Sequence, residues 1–159
     1  MHRLEKLNRP EFYVVDRDNQ PPIPPKNREV VEALTARGCT VWITERKEME
    51  NYIHPAVITE EYPRYAGAGI EFEDVPMLFA QAVHESSESG QTWAEILSDP
   101  DKLGKKVSNA KRRLCTQFVS KITPDLLTKI DAKNEVRSWL KAVGGVLKDD
   151  EGKRLSKLE

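Results

Sequence analysis

The 159-residue sequence contains no run of about twenty apolar residues, which excludes a membrane-spanning helix and predicts no membrane partner. Cysteine is scarce. Cys39 and Cys115 stand far apart and the three histidines are scattered, which excludes a disulfide scaffold and a Cys/His zinc finger. Neither sign of charge dominates. With 25 basic against 26 acidic residues and a net charge of -1, no global positive field draws in nucleic acid, so a polyanion contact requires a local patch. No apolar run follows Met1-His2-Arg3-Leu4-Glu5-Lys6, so no secretory leader is predicted and a reducing cytoplasm is the expected compartment. Internal repeats are absent, and so is the phosphate-loop pattern G-x-x-x-x-G-K-[ST].

What is present is charge: 32% of residues are charged against 38% hydrophobic, and mean hydropathy is -0.61. That leaves apolar material for one core and a surplus for surface or tail. The chain length is that of one domain.

The clearest local signal lies early. Phe12-Tyr13-Val14-Val15 is a short unbroken apolar run, and it lands on the turn chemistry of Asp16-Arg17-Asp18-Asn19. This predicts a strand buried on both faces. The prolines between Gln20 and Pro25 enforce an extended loop. Val30, Val31, Ala33 and Leu34 then fall on one side of a helix that Gly38 closes. Cys39 to Thr44 is β-branched and aromatic, a second buried strand. Strand, helix and strand at this spacing form a βαβ unit with parallel strands.

The remainder predicts helices. One is capped by Asp74 with Pro76 in its first turn, and a short one covers 92–97. A long one covers 105–122, another opens at Thr123-Pro124, and a last one stops at Gly144-Gly145. Residues 147–159 are dense in charge and are expected to be a disordered tail.

Parallel sheets gather ligands outside the carboxyl ends of their strands. Asp16 and Asp18 occupy one such end. Two apart on an extended segment, they can reach a single hard cation such as Mg²⁺. Glu45 leaves the second strand at the same rim, with Glu48 and Glu50 following. A divalent ion removes the repulsion among such carboxylates. Caps and turns explain a D-x-D equally well when it stands alone. Pairing with the second strand end tips the balance to metal.

The residues Val14-Val15-Asp16-Arg17-Asp18 and Glu45-Arg46-Lys47-Glu48-Met49-Glu50-Asn51-Tyr52 together resemble the Toprim nuclease domain of OLD-family ATP-dependent endonucleases and related phage-defence proteins. Asn109 to Leu114, Ile122 to Leu127 and Glu135 to Leu140 resemble the helical end of such proteins, so the likeness covers about residues 10 to 143. It implies an α/β fold with a partial Toprim-like (Rossmann-like) parallel sheet and βαβ unit, followed by a mostly helical C-terminal region. The organisation it implies is residues 1–55 as the Toprim-like core carrying the D-x-D and E-x-x-x-x-E-N-Y motifs, and 56–146 as a helical continuation.

The likeness further implies a metal-dependent endonuclease acting on DNA. Asp16 and Asp18 would hold Mg²⁺ or Mn²⁺, joined by Glu45 as first choice and Glu50 as second. Lys47, or its rival Lys111, would neutralise charge at the phosphate. The family places a glutamate-bearing strand ahead of the D-x-D strand, whereas here residues 1–10 precede it and Glu5 has no such setting. An ATPase domain or subunit, supplied upstream or in trans, is the implied partner.

Lys102, Lys105, Lys106, Lys111, Arg112 and Arg113 form an acid-free basic stretch able to neutralise a few DNA phosphates. An ordinary solvated helix face accounts for it equally well. Two other functions compete. One is a non-catalytic remnant or subunit that binds a partner protein or DNA. The other is a phosphohydrolase resembling the haloacid-dehalogenase type, with Asp16 and Asp18 as nucleophile and general acid, although Gln20 stands where that family carries Thr or Val.

Overall fold

The computed structural model describes residues 10–18 and 22–155, the side chains of 147–155 excepted. Glu5, Asn19 and Gln20 lie outside the described residues. The chain is α/β: a two-stranded parallel sheet followed by a mostly helical remainder.

Strand β1 (Phe12–Val15) pairs with β2 (Thr40–Ile43) in parallel, with Phe12 opposite Thr40 and Val15 opposite Ile43. Helix α1 (Pro25–Ala36) makes the crossover. Pro25 supplies a preset first turn, and Gly38 ends the helix at φ +81°, where a Cβ would be strained.

Burial on both faces, expected for both strands, is not found. No residue of either strand is fully buried, and Val14 is 37% exposed. A sheet only two strands wide leaves its edges open, and α1 itself buries no residue completely. On one face Phe12 stacks on Trp42 with ring centroids 5.7 Å apart. Trp139 approaches Trp42 at 6.5 Å and Tyr52 at 5.5 Å, which ties the sheet to the last helix.

The main core lies among the helices. Segments α2 (Pro55–Thr59), α3 (Val75–Glu85), α4 (Trp93–Leu97) and α5 (Pro100–Arg113) surround Ile58, Val75, Phe79, Leu114 and Phe118. Their starts follow capping chemistry legible in the sequence. The carboxylate of Asp74 accepts from the Met77 N–H at 3.0 Å, and Thr92 and Glu95 form a reciprocal capping box. Asp99 caps α5 through the Lys102 N–H at 3.1 Å, so this helix begins at Pro100 rather than at Lys105.

After Arg113 the winding widens to a π turn over Leu114–Phe118, then tightens to a 3-10 turn over Val119–Lys121. Thr123 caps α6 (Pro124–Ile130) through the Leu126 N–H. Asp131 accepts from the N–H groups of Glu135 and Arg137 and so opens α7 (Glu135–Leu155).

Helix α7 runs through Gly144 and Gly145, where a stop was expected. Neither glycine adopts the left-handed conformation that terminates a helix, and an interior glycine costs only about 1 kcal/mol. The expected tail thus begins inside a helical backbone, and residues 156–159 lie outside the described residues. Among the described residues no helix is long and apolar enough to cross a membrane.

Candidate functional site

The exits of the two strands are stitched together by backbone and side-chain bonds. Thr44, fully buried, gives its N–H to Val15 O at 3.0 Å, while its hydroxyl accepts the Arg17 N–H at 2.9 Å and donates to Arg46 O. The Asp18 N–H donates to Lys47 O at 2.7 Å. Asp18 sits at φ +63°, a left-handed position that Asp tolerates. Asn27 reaches over from α1 and donates to both Asp16 O and Asp18 Oδ2 at 2.8 Å. The D-x-D is therefore set in a rigid turn, with Asp18 exposed and Asp16 half-buried.

Asp16 Oδ1 accepts the Met49 N–H at 3.0 Å, which brings in the 3-10 turn Met49–Tyr52. Glu50 of that turn is buried and receives the thiol of Cys115, with Sγ 3.7 Å from Oε1. Glu48, also buried, takes an ion pair from Lys111 with Nζ 2.5 Å from Oε2. Asn51 locks this turn by donating to Glu73 O at 3.0 Å. Three distant stretches thus converge: the end of β1, the 48–50 turn, and the end of α5 with the π turn behind it. Lys111 and Cys115, four apart on one side of that helix, reach two carboxylates of the same turn, Glu48 and Glu50 respectively.

The electrostatics are consistent. Burial pushes the Asp16 carboxyl above its ordinary value, against the Met49 N–H, and Glu50 and Asp18 push it further. Burial likewise raises Glu48 despite Lys111. Lys111 is raised against its own burial by Glu48, Glu50 and Asp16. Burial and Glu50 raise the Cys115 thiol. Four groups of different kinds all hold protons more tightly, and Glu50 acts on each of them. The cluster carries surplus negative charge.

The expected site residues separate accordingly. Asp16, Glu50 and Lys111 come together, with Asp18 at their edge. Glu45, the first choice of acid, does not join them. Its carboxylate is held by Lys133 at 2.9 Å and Arg17 at 4.0 Å, and the Lys133 bond lowers its proton affinity. Successive residues of an extended strand point to opposite faces, so Arg17 and Glu45 leave on the side away from Asp16. Lys47 is drawn off by Asp74 at 2.6 Å.

Glu48 and Cys115 were not selected from sequence. The ion pair of Glu48 with a residue 63 positions later left no local trace. Cys115 carried one usable signal, its four-residue spacing from Lys111. Of the histidines, His54 caps α2 through the Ala56 N–H, and His84 is buried against Trp93 with Nε2 2.9 Å from Gln91 O.

The basic stretch does not form one face. Lys111 turns to Glu48 and Lys102 pairs with Asp99 at 3.4 Å. Arg112 donates to Asn109, and Arg113 lies over the rings of Tyr62 and Phe79. Lys105 and Lys106 border separate openings along α5.

Among the described residues no three His, Cys, Asp or Glu side chains stand close enough to hold a metal ion by themselves. A smaller donor set still suits magnesium, which commonly takes one or two carboxylates and fills its remaining positions with water and phosphate oxygens. The mutually repelling Asp16 and Glu50 supply hard oxygens of that kind.

Removing Lys111 isolates a buried charge. Breaking a fully buried pair costs roughly 3–5 kcal/mol. Because the Lys111 side chain is 44% exposed, solvent screening reduces this to about 1–2 kcal/mol for Lys111→Met. Urea unfolding at neutral pH should show that loss, and adding Glu48→Gln should recover most of it. No recovery would mean that Lys111 acts by packing alone.

Asp16 has a folded-state proton affinity above its unfolded value, so its ionisation opposes folding as pH rises from the ordinary aspartate range. Asp16→Asn keeps an oxygen for the Met49 N–H and removes the charge. Its stabilising effect should be near zero well below pH 4, grow as pH rises, and level off once the wild-type carboxyl is ionised. A pH-independent difference would contradict the cost of ionising this half-buried carboxyl beside Glu50 and Asp18.

The molecule is thus of the α/β class, with a carboxylate–lysine centre at the carboxyl end of its parallel strands. No protein-family model, curated protein or solved structure matches the chain.

Proposed function

We propose that this chain is the nuclease-type part of a larger ATPase–nuclease assembly, hydrolysing DNA phosphodiester bonds with Mg²⁺ or Mn²⁺. The observation that supports it most is the convergence of Asp16, Glu50 and Lys111 in a cluster of surplus negative charge at the strand ends. The motif likeness to the Toprim segment of OLD-family endonucleases points the same way.

Asp16 and Glu50 would hold the cation, with Asp18 beside them. When bound, the cation supplies positive charge that stabilises the oxygens of a phosphodiester undergoing in-line displacement. Lys111 adds a second positive charge, and Glu48 restrains its long side chain so that the ammonium stays at the cluster. The Met49 N–H fixes the direction of one Asp16 oxygen. Thr44 ties the two strand exits together, and Asn27 holds the first of them from α1. Arg17, Glu45 and Lys133 form a separate structural ion network.

Supercoiled plasmid incubated with the protein should be nicked or linearised in Mg²⁺ or Mn²⁺ and remain intact in EDTA. Titration with Mn²⁺ alone should show saturable binding in the millimolar range or tighter. DNA binding without cleavage at any cation concentration, even with the ATPase partner supplied, would replace this reading by that of a binding module.

A further inference from the structure

Helices α3 and α5 do not close completely against each other. Between them lies an opening of about 130 Å³ lined by Ala80, Val83, Lys106, Asn109, Ala110 and Arg113. Its floor is aliphatic, and its rim carries two cations and an amide. Lys106, Asn109 and Arg113 follow helical spacing along α5, so they stand on one side of that helix. Lys111 faces the other way, towards Glu48.

The rim is built to different degrees of rigidity. The Arg113 guanidinium carbon lies 5.2 Å from the ring centroids of both Tyr62 and Phe79. Its Nη2 donates to Tyr62 Oη at 2.6 Å, and its Nε donates to Gln117 Oε1 at 3.3 Å. Those bonds fix the guanidinium beside the opening that Arg113 lines and leave its Nη1 donors for a ligand. Asn109 uses its carbonyl oxygen on Arg112 at 3.1 Å, which leaves its amide N–H₂ as a donor. Lys106 has no ion-pair partner among the described residues.

An apolar cavity on the order of 150 Å³ is enough to hold benzene, so a six-membered ring fits this space with its edge at the open mouth. The fixed donors at that mouth suit a ring carrying carbonyl oxygens and an attached anion. We propose that the α3–α5 cavity binds a pyrimidine nucleotide unit. The ring lies on Ala80, Val83 and Ala110, a ring carbonyl accepts from Asn109, and the phosphate sits between Lys106 and Arg113. The site uses none of the carboxylates of the proposed cleavage centre, so either can fail without the other.

The unit could belong to a free nucleoside monophosphate or to a single strand. The test titrates the ¹⁵N-labelled protein in EDTA with thymidine 5′-monophosphate, with a ten-residue oligothymidylate, and with ribose 5-phosphate. Saturable shifts confined to amides around 80–83 and 106–113 are expected for the two thymidine ligands. A markedly tighter response to the oligomer identifies a single strand as the source, and equal responses identify the free nucleotide. Lys106→Glu, a change at a half-buried position with no ion-pair partner to break among the described residues, should weaken binding about tenfold or more through loss of a charge-assisted bond. Val83→Phe, which fills the cavity, should abolish it while the thermal melt stays cooperative. Binding of ribose 5-phosphate as tight as that of the nucleotide, no effect of Lys106→Glu, or no saturable shift would overturn the proposal.

Discussion

Asp16→Asn is expected to lower Mg²⁺-dependent DNA cleavage by about a hundred- to a thousandfold, the range seen when a preorganised charge-stabilising group is lost at a reacting centre. The substitution is nearly isosteric and keeps the oxygen that accepts the Met49 N–H. What changes is the charge available to a hard cation. The same variant should fold at least as well as the parent at neutral pH, because it removes a half-buried charge that Glu50 and Asp18 also repel. Activity and stability then move in opposite directions, which separates a functional carboxylate from a structural one. Glu45→Gln is the matched control: Glu45 is engaged by Lys133 and Arg17, so its loss should leave cleavage within about threefold. Equal losses from both variants, or a retained rate in Asp16→Asn, would remove Asp16 from the centre. Plasmid cleavage rates at saturating Mg²⁺, read beside urea denaturation curves, decide the matter.

Phe79→Ala should destabilise the chain by about 3–5 kcal/mol, the range for deleting a fully buried aromatic ring. Phe79 has no exposed surface and meets Tyr62 and Phe118 edge-on at 5.2 and 5.1 Å. It also carries the Arg113 guanidinium on its face. The ring is therefore a hinge point between core packing and the rim of the α3–α5 cavity. A loss of that size is a large part of the 5–15 kcal/mol by which ordinary domains are stable, so partial unfolding at room temperature is the expected phenotype. Phe79→Leu retains most of the volume and should cost less than half as much. A loss below about 1 kcal/mol for Phe79→Ala would show that the helical part tolerates a void there.

Local chemistry was readable from residue order wherever the partners are close in sequence. The βαβ unit followed from two apolar runs separated by a glycine-ended helix, although that helix starts at Pro25, inside the stretch read as loop. Caps at Asp74 and Thr123 followed from side chains that bond amides three residues ahead. The glycines at 144 and 145 misled because a glycine ends a helix only when it turns left-handed, and that depends on what the chain packs against afterwards. Burial of the strands misled for a related reason: apolar runs report what could be covered, not how many layers are present to cover it.

For the candidate site, residue order singled out Asp16, Asp18, Glu50 and Lys111 among other charges but put Glu45 ahead of Glu50 and set Lys47 beside Lys111. Glu45 and Glu50 are both acids after the same strand, and Lys47 is nearer in sequence to Asp16 than Lys111 is. Their separation rests on long-range partners: Lys133 and Arg17 for Glu45, Asp74 for Lys47, and Glu48 for Lys111.

The order of residues alone determined a parallel strand pair with acids at its carboxyl end and a helical remainder, because strand, cap and turn preferences act over a few residues. Only the tertiary structure decided which acids cluster and which lysine joins them. Charge interactions depend on distance through space and on burial, and neither is written in a short stretch of chain.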